Sequence, residues 1–487
     1  MTFAGTEPGE GIHEGVFHLF TFWNQDMQRQ LILDIVPKVG EQVTLCGWVH
    51  ARRDMGKITF IDLRDASGLL QVVFFKKELL EIAHTLRPEF VVKITGTVQA
   101  RPEKLWNDKL ATGRVELGAE TLEILNEAKT PPFEINQDTM PINEELRLKY
   151  RYLDLRSERM HKNIVLRDTV TTAFRDFLHA NKFLEIETPD LVKGTPEGSR
   201  EFLVPSRLHA GKFYVLPQSP QQFKQLLMVA GMDRYFQMAR CFRDEDQRGD
   251  RQPEFTQVDL EMSFVEREDV VSLMEKMIIE VVTKSAPHKR IQQVPFPRMS
   301  YKEAMEKYGN DKPDVREDKN DPDLLAFCWV LDFPFFEKTD EGGWTFTHNP
   351  FSRAMPEHHQ KLMDKTDIGD ILTSQYDLAL NGFELGGGSI RNHQPEALKR
   401  VFEIRGFSDE AISSQFGHMI EAFDYGAPPH GGIAFGLDRV VAILANEPNI
   451  REVIAFPKTG DARDPMMGAP SEMPASTLAE ANVQIRR

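Results

Sequence analysis

The residues best suited to chemistry in this chain lie in a predicted hairpin over residues 240–264. An alternating apolar run, a charged loop containing glycine and proline, and a second alternating run follow one another there. Arg243 offers a planar fork of donors to phosphate oxygens, Glu245 can accept a hydrogen bond from a base amino group, and Phe255 can stack on the base. The pattern predicts a nucleotide clamp without a glycine-rich loop, although on charge alone an isolated hairpin of this kind is ordinarily a solvated turn.

Two cationic side chains are predicted to recognise an acidic small molecule. Lys224 lies one turn into a predicted helix, for which Ser219 is the expected N-cap and Pro220 the first helical residue. Arg391 ends a strand–turn–strand segment and can form a bidentate pair with a carboxylate. Together these two residues would hold an acidic side chain and reject the corresponding uncharged amide.

Acids and glycines in the last third of the chain predict a triphosphate site. Asp377 and Glu384 are hard oxygen ligands suited to Mg²⁺, and the glycines at 386–388 allow close approach to the backbone. Residues 431–444 are predicted as a strand that runs into an apolar helix. The start of that helix and Arg439 favour an anionic phosphate.

Composition restricts the classes of protein to consider. The chain has 487 residues, of which 41% are hydrophobic and 28% charged, and no apolar run reaches the about 18 residues of a membrane span. No secretory signal is evident at the N-terminus, and the three cysteines lack CxxC spacing, so we expect a cytoplasmic protein with no membrane partner. The net charge of −16 argues mildly against nucleic-acid binding but does not exclude a local basic groove.

The sequence predicts an α+β chain of two domains. Residues 1–26 show no clear period and are interpreted as an extension; residues 27–127 contain five strands with one helix after the third, which matches an OB-fold β-barrel. A proline-bearing hinge at 128–150 leads into a second domain at 151–487, whose first helix is expected at about 157–181.

The barrel strands carry residues that favour RNA binding. Arg52 and Arg53 can contact phosphate or a base edge, Phe60 can stack on an unpaired base, and Gln71 adds a polar group. The alternative is a small barrel with no nucleic-acid role.

The order of these segments resembles that of class II aminoacyl-tRNA synthetases, and in particular the bacterial-type aspartyl-tRNA synthetases. Residues 183–189 are similar to motif 1, which builds the homodimer interface, residues 242–259 to motif 2 and residues 436–439 to motif 3. The resemblance covers residues 27–487. It implies a catalytic domain with an antiparallel sheet flanked by helices, behind an N-terminal anticodon-binding barrel.

The resemblance implies the activity of an aspartate–tRNA ligase. ATP would activate L-aspartate to aspartyl-adenylate with release of pyrophosphate, and the aspartyl group would pass to the 3′ end of tRNA(Asp). The implied partners are ATP, Mg²⁺, L-aspartate, tRNA(Asp) and a second copy of the chain.

The resemblance also implies a role for individual residues. Arg243 and Arg439 would be catalytic, on the α- and γ-phosphates respectively. Aspartate would be bound by Glu197, Gln221, Lys224, Arg243, Asp259, His348 and Arg391. ATP would be bound by Arg243, Asp244, Glu245, Gln252, Phe255, Glu384, Gly436, Leu437, Asp438 and Arg439. Mg²⁺ would be held by Asp377 and Glu384, and the anticodon by Arg53, Phe60 and Gln71.

Three departures from the family pattern stand out. Residues 313–316 are followed at once by residues 329–337, so the large domain that bacterial relatives insert between these elements is absent. Asn349 replaces the second histidine of a His-His-Pro-Phe segment, beside His348. Met55 stands where relatives that also charge tRNA(Asn) often have histidine, and so favours strict behaviour toward tRNA(Asp).

Three other functions remain open on the sequence. An asparaginyl or lysyl synthetase would share the fold, but Lys224 with Arg391 favours an anionic side chain in the pocket. A non-catalytic RNA-binding paralogue would not need Arg243, Glu384 and Arg439. An ammonia-using asparagine synthetase would not need the N-terminal barrel.

Overall fold

The computed structural model describes residues 29–194, 198–247 and 249–485, so the extension expected at 1–26 lies outside the described residues. The chain divides into two compact units between Thr139 and Met140. This boundary falls inside the region predicted as a hinge, 128–150, and the helix Glu144–Lys149 lies on its C-terminal side.

The first unit is a β-barrel with one helix. Its strands are β1 Arg29–Gln30, β2 Gln42–Met55, β3 Ile58–Arg64, β4 Leu69–Phe74, β5 Val91–Ala100 and β6 Val115–Asn126, and its helix is α1 Lys77–Ala83. The strand order β2-β3-β4-β6-β5 is closed by pairing of β5 with β2, which removes the sheet edges. Buried and outward residues alternate along β2 to β5, so every second side chain fills the barrel interior. The helix α1 follows β4, which is the third of the five barrel strands β2 to β6. The predicted OB-fold, with a helix after its third strand, is therefore confirmed.

The second unit contains, within its described residues, one large sheet and three two-stranded sheets. Its strands are β7 Leu184–Glu185, β8 Leu203–Pro205, β9 Phe213–Val215, β10 Arg234–Phe242, β11 Glu254–Ser263, β12 Arg290–Ile291, β13 Arg298–Ser300, β14 Leu324–Leu325, β15 Phe327–Leu331, β16 Phe336–Lys338, β17 Trp344–Phe346, β18 Gln375–Leu380, β19 Phe383–Ile390 and β20 His430–Gly436. Its helices are α2 Glu144–Lys149, α3 Arg151–Asp154, α4 Glu158–Ala180, α5 Gln221–Val229, α6 Arg267–Ser285, α7 Tyr301–Tyr308, α8 His359–Asp364, α9 Pro395–Arg405, α10 Asp409–Asp424, α11 Leu437–Leu444 and α12 Ala475–Glu480.

The large sheet has eight strands in the order β13-β15-β18-β19-β20-β11-β10-β7. The six central strands pair antiparallel, whereas the short edge strands β13 and β7 pair parallel to their neighbours. One face of the sheet packs against α4, α6 and α11 in a continuous apolar core that includes Phe174, Met274, Leu260 and Phe435. The predicted antiparallel sheet flanked by helices is therefore confirmed, with two parallel edge pairs added.

The first residues of two helices, α4 and α5, show whether the serine before each helix caps it. The predicted long helix is α4, and its N-cap Ser157 accepts a hydrogen bond from Met160 N. The prediction of Ser219 as an N-cap is wrong, because α5 begins at Gln221 with Pro220 at the cap position and has no side-chain cap. The Pro220 carbonyl instead accepts the first intrahelical hydrogen bond, from Lys224 N at 2.9 Å. Among the described residues, no helix is long and apolar enough to span a membrane.

Candidate active site

One face of the large sheet is polar because alternate residues of five strands point the same way. Asp259 on β11 pairs with Gln237 on β10 and with Ala434 on β20. Ala434 pairs in turn with Gly387 on β19, and Gly387 with Asp377 on β18. The register therefore aligns Asp377 and Asp259 in one row across the sheet, with only small residues between them.

Glycines make room for the acids of this face. A Cβ atom built on Gly432 would lie 2.2 Å from Oε2 of Glu261, and one built on Gly387 would lie 2.7 Å from Oδ1 of Asp377. Both distances are far inside van der Waals contact. The glycines thus form a glycine floor, a surface without side chains that leaves space for the carboxylates of Glu261 and Asp377. This need for space explains the glycine-rich segments of β19 and β20.

Four buried charges converge on the centre of this floor. Nζ of Lys224, from α5, lies 2.7 Å from Oδ2 of Asp259 and 3.4 Å from Oε2 of Glu261. The Arg391 guanidinium donates to both oxygens of Glu261, at 2.8 and 3.1 Å, and to Oγ of Ser389 at 2.9 Å. The two predicted cations therefore meet on one carboxylate of the protein, that of Glu261.

The pairing keeps Glu261 and Arg391 charged. Burial acts to raise the pKa of Glu261, but Arg391 and Lys224 outweigh it and hold that pKa below its ordinary value. Burial lowers the pKa of Arg391 less than Glu261 raises it, so the guanidinium stays protonated. Burial raises the pKa of Asp259, which Lys224 opposes, so this acid is the least compensated member of the cluster.

Asp259 still has capacity to bind a ligand. Its Oδ1 atom is buried and has no hydrogen-bond partner among the described residues. An unsatisfied buried acceptor costs free energy that a bound donor would recover. The position of this atom in the charge cluster suits the ammonium group of an amino acid.

A histidine and two glutamines support the cluster from α5 and β20. His430 lies 3.1 Å from Nε2 of Gln225 and 2.7 Å from the Pro428 carbonyl, and burial lowers its pKa to about 4. The imidazole is therefore neutral at pH 7 and adds no charge to the cluster. Gln221, an expected aspartate ligand, donates from Nε2 to Oε1 of Gln225 at 3.0 Å.

A cavity of about 300 Å³ lies beside the end of β11. It is lined by eight residues assigned to ATP: Arg243, Glu245, Gln252, Phe255, Glu384, Gly436, Asp438 and Arg439. Gln257, two residues before Asp259 on the same strand, also lines it. The strand β11 thus contributes residues both to the charge cluster and to the cavity, as expected for a site that joins an amino acid to a nucleotide.

The two expected catalytic arginines face this same cavity. The Arg243 guanidinium lies 5.1 Å from the centroid of the Phe255 ring, a cation–π contact that fixes both side chains. Arg439 donates to the Glu384 carbonyl and lies 3.5 Å from Oδ2 of Asp250. Nε of each arginine is buried without a hydrogen-bond partner among the described residues, so both retain donors for an anion.

Two assigned ATP residues are already engaged within the protein. The Gln252 side-chain amide donates to the Lys458 carbonyl at 3.1 Å and accepts from Lys458 N at 2.7 Å. Asp438 accepts from Arg167 at 2.5 Å and from Thr256 N at 3.1 Å. Both side chains therefore fix the cavity wall, Asp438 by joining α11 to α4 and β11.

Of three further residues assigned to ATP, Glu245 lines the cavity, whereas Asp244 and Leu437 do not. Glu245 accepts from Ser199 and forms an ion pair with Arg251 at 3.2 Å. Asp244 hydrogen-bonds through its backbone to Arg200 and does not line the cavity, and Leu437 belongs to the apolar core. These two are the assigned ATP residues outside the lining.

Three of the expected aspartate ligands, Arg243, His348 and Glu197, are not joined to the charge cluster by a described contact, and Arg243 lines the cavity instead. His348 is exposed, and the edge of its ring packs on Phe333 with centroids 4.6 Å apart. Glu197 lies outside the described residues. Asn349, beside His348, lies 3.4 Å from Oε1 of Gln375.

The Glu384 carboxylate is close enough to Asp377 to influence the pKa of Asp377. Burial and then the Glu384 carboxylate raise the pKa of Asp377 well above its ordinary value, while a 2.7 Å hydrogen bond from Gln375 opposes them. Two such carboxylates suit a divalent cation, which would relieve their repulsion. Within residues 29–194, 198–247 and 249–485, no group of three or more His, Cys, Asp or Glu side chains is placed to hold a metal ion.

The barrel brings its three candidate residues to one outer surface. Arg53 makes a bidentate pair with Asp62 at 2.7 and 2.9 Å, and its Nη2 lies 3.4 Å from Oε1 of Gln71. Phe60 is opposite Arg53 in the register of β2 and β3. Arg52 behaves differently: its guanidinium donates to the Leu86 carbonyl at 2.7 Å and so ties the strand to the segment after α1.

Glu261 is the main site residue that the sequence reasoning missed. Its signal is present, because Gln257, Asp259 and Glu261 follow one another at two-residue spacing on β11. That spacing puts all three on one face of a strand whose other face carries Val258 and Leu260. Acids at two-residue spacing in an otherwise apolar strand predict a polar site.

Family models match both units. Residues 143–460 match the model "tRNA synthetases class II (D, K and N)", and residues 43–125 match "OB-fold nucleic acid binding domain". The first match alone covers more than half of the chain.

Curated relatives match over nearly the full length. The chain is 42% identical to the aspartate–tRNA ligase of Listeria monocytogenes serotype 4a (strain HCC23), over 92% of this chain and 96% of the relative. It is 40% identical to the aspartate–tRNA(Asp/Asn) ligase of Bacillus subtilis (strain 168), over 93% and 98%. The Listeria alignment has 574 positions against 487 residues in this chain, so the relative contains residues without a counterpart here.

Solved structures share the fold. The asparaginyl-tRNA synthetase from Pyrococcus horikoshii complexed with asparaginyl-adenylate superposes with a TM-score of 0.71 at 23% identity. The match covers 89% of this chain and 98% of that one.

Proposed function

This chain belongs to the aspartate–tRNA ligase family of class II aminoacyl-tRNA synthetases, and on that premise we propose how its residues perform the reaction. It activates L-aspartate with ATP and transfers the aspartyl group to tRNA(Asp). The observation that carries the assignment of the amino acid is the meeting of Lys224 and Arg391 on Glu261 in a buried pocket.

The two cations of the charge cluster select aspartate by donating hydrogen bonds to its side-chain carboxylate. Lys224 and Arg391 are matched one for one by Asp259 and Glu261 before any ligand binds. The side-chain carboxylate of aspartate takes hydrogen bonds from the two cations, and the free Oδ1 of Asp259 accepts from its ammonium group. Asparagine offers the cations a neutral amide and lysine a second cation, so both bind less well.

Arg243 and Arg439 bind the triphosphate of ATP in the cavity. Arg243 contacts the α-phosphate, which the aspartate α-carboxylate attacks, and Arg439 contacts the γ-phosphate. Phe255 carries the adenine, with Glu245 toward its amino group. Attack forms the bond from the carboxylate oxygen to the α-phosphorus and breaks the bond to pyrophosphate, so the protein contributes positioning and charge neutralisation.

Asp377 and Glu384 fit a Mg²⁺ ion shared with the triphosphate. Their donor set is oxygen only, and burial and then the Glu384 carboxylate raise the pKa of Asp377. When bound, the ion would neutralise phosphate charge. Gln375 orients Asp377 for that role by donating to its Oδ1 atom at 2.7 Å.

The barrel binds the anticodon of tRNA(Asp) through Arg53, Phe60 and Gln71. Their common outer surface and the OB-fold support this assignment, because OB-folds bind oligonucleotides on these strands. The ion pair with Asp62 holds the Arg53 side chain on this surface. On binding, the Arg53 guanidinium would leave Asp62 and contact the RNA.

The chain works as a homodimer in the cytoplasm. Leu184, in the segment that resembles motif 1, is 51% exposed, and Val165 on the preceding helix α4 is 52% exposed. The resemblance of residues 183–189 to the motif that builds the family's dimer interface supports this assignment, and the two exposed apolar side chains agree with it. Cys46 and Cys328 are free thiols, which suits a reducing compartment.

ATP–pyrophosphate exchange without tRNA tests the proposed function. The purified chain is expected to catalyse exchange with L-aspartate and not with L-asparagine or L-lysine, and to aspartylate tRNA(Asp). Arg243→Ala should lower exchange by about 10²- to 10³-fold, because one charged transition-state contact is lost. Arg290→Ala, at an exposed arginine paired with Asp321, is the matched control and should leave exchange unchanged.

Two outcomes would contradict the proposal. Exchange with L-asparagine at a rate equal to that with L-aspartate would overturn the charge-based selection. Normal exchange by Arg243→Ala would remove this residue from the reaction.

A further inference from the structure

We propose that Trp106 is a further tRNA-binding residue of the barrel, and that its indole stacks on an unpaired base of the anticodon loop. The inference rests on the proposed function, because it takes tRNA as the partner of this unit. Trp106 lies in the loop that joins β5 and β6, residues 101–114, and is 40% exposed. In OB-folds this connection borders the oligonucleotide surface.

The indole ring is held in place from two sides. Its Nε1 atom donates to the Arg101 carbonyl at 2.9 Å, and Cζ of Arg114 lies 4.6 Å from the ring centroid. The first contact satisfies the N–H donor of the indole, and the second places a guanidinium over one face of the ring. An exposed aromatic ring in this arrangement is suited to stacking on a base, which adds its own π-face to the layer.

The loop that carries the ring is preorganised. Asn107 N donates to the Gly113 carbonyl at 3.1 Å, and Gly113 N donates to the Leu110 carbonyl at 2.9 Å. A Cβ atom built on Gly113 would lie 1.8 Å from the Asn107 carbonyl oxygen, so only glycine allows this closure. Little conformational entropy is then lost when the ring binds a ligand.

A chain of contacts connects the loop to the proposed anticodon residues. Nε of Arg101, whose carbonyl holds Trp106, lies 3.8 Å from Glu116 on β6. Glu116 accepts a hydrogen bond from Gln71 at 2.7 Å, and Gln71 lies 3.4 Å from Nη2 of Arg53. These contacts connect the loop that carries the indole to the residues proposed to bind the anticodon.

The loop also gives this side of an acidic chain a local positive charge. Residues 101–114 contain four basic side chains and two acidic ones, whereas the whole chain has a net charge of −16. Backbone phosphates that flank a stacked base would meet these basic side chains.

The test compares full-length tRNA(Asp) with an acceptor-stem minihelix that lacks the anticodon. Trp106→Ala should raise the KM and the Kd for the full-length tRNA by about 5- to 100-fold, the usual effect of losing one base–aromatic stack. It should leave kcat, minihelix charging and ATP–pyrophosphate exchange unchanged. Trp106→Phe should recover most of the affinity, because a smaller aromatic ring still stacks.

Leu105→Ala is the matched control, since it removes an exposed apolar side chain from the neighbouring position of the same loop. It should keep the wild-type KM for full-length tRNA. An unchanged KM for Trp106→Ala, an equal loss by Trp106→Ala with the minihelix, or an equal effect of Leu105→Ala would each overturn the inference.

The inference and the proposed function fail in different ways. If the wild-type chain does not aspartylate tRNA(Asp), the proposed function fails. If it does, and Trp106→Ala charges full-length tRNA with the wild-type KM, only the role of Trp106 fails.

Discussion

Glu261 accepts two hydrogen bonds from the Arg391 guanidinium, at 2.8 and 3.1 Å, and so fixes the cation that the pocket presents to its ligand. Both side chains are nearly inaccessible to solvent, so the pair is strong only while both partners are present. Its integrity links the stability of the sheet to the selection of the amino acid.

Glu261→Gln should therefore weaken aspartate binding and destabilise the fold together. The neutral amide cannot balance Arg391 and Lys224, so the guanidinium is left with less compensation. We expect the KM for L-aspartate in exchange to rise at least about tenfold, the effect of losing one or two charged hydrogen bonds. Glu280→Gln, at an exposed ion pair with Lys284, should change neither the KM nor the melting temperature appreciably. A wild-type KM for Glu261→Gln would contradict this account.

Gly432→Ala should have a similar effect by a steric route. The new methyl group would lie 2.2 Å from Oε2 of Glu261 and 2.1 Å from the Leu260 carbonyl oxygen, so the carboxylate or the strand must move. A higher KM for L-aspartate and a lower melting temperature are expected. Gly460→Ala, where a Cβ would meet no atom within 4 Å, is the control. Equal behaviour of the two variants would show that the glycine floor is not needed.

Acid should weaken the second unit through Glu452. Arg147 donates two hydrogen bonds to its carboxylate, both at 2.9 Å, and Arg159 a third at 2.9 Å. Although burial acts to raise the pKa of Glu452, these arginines lower it to about 2 from an ordinary value of 4.5. Because the folded pKa is the lower one, the stabilisation is complete above pH 4.5 and is lost as the pH falls toward 2.

The Glu452 prediction is tested by melting temperatures of wild type and Glu452→Gln as a function of pH. At pH 7 the variant should be less stable by about 3 kcal/mol or more, since a buried ion pair loses one partner. The difference between the two proteins should shrink as the pH falls through the stated window. A difference that stays constant down to pH 3 would contradict the proposed linkage.

Removal of divalent cations should abolish exchange, and Mg²⁺ should restore it. Asp377→Asn should raise the Mg²⁺ concentration needed for half-maximal exchange, because one of two oxygen ligands loses its charge. Asp318→Asn, on an exposed loop of the same unit, should leave the Mg²⁺ requirement unchanged. A second readout is the rise in melting temperature that Mg²⁺ with ATP produces, which Asp377→Asn should reduce. Equal Mg²⁺ titrations of wild type and Asp377→Asn would remove this residue from the metal site.

Discrimination between tRNA(Asp) and tRNA(Asn) should depend on Met55. This residue ends β2 and is 67% exposed. Its thioether is only a weak acceptor, whereas an imidazole can donate to and accept from a base edge. We expect the wild type to charge tRNA(Asp) in strong preference to tRNA(Asn), Met55→His to narrow that preference, and Met55→Leu to keep it. Equal charging of both purified tRNAs by the wild type would contradict the expectation.

The sequence predicts the fold where pattern and local rules agree. Four of the five barrel strands, β2 to β5, alternate buried and outward residues over most of their length, and the long helix α4 combines apolar spacing with an N-cap at Ser157. The two parallel edge pairs were not predicted, because β7 and β13 have only two and three residues and too little sequence for a pattern. Strand order and the boundary at Thr139 likewise depend on contacts between distant segments.

The candidate site divides in the same way. Motif spacing is enough to bring Arg243 and Arg439 to one cavity, and Lys224 and Arg391 to one carboxylate. It does not reveal which side chains already have partners within the protein. Asp438 reads as a ligand, yet both of its oxygens are engaged by Arg167 and Thr256 N. That distinction requires the register of β11 against β20 and the position of α4.

The row of acids across the large sheet limits how the chain can change in length. Deleting or inserting one residue within β11 would turn Asp259 and Glu261 toward the apolar core and bring Val258 and Leu260 into the pocket. Changes of length are expected to be tolerated better in loops such as 311–323, which lie outside the strands that carry the site. Whole segments can be absent from such loops while a single-residue deletion inside a central strand would be lethal to the enzyme.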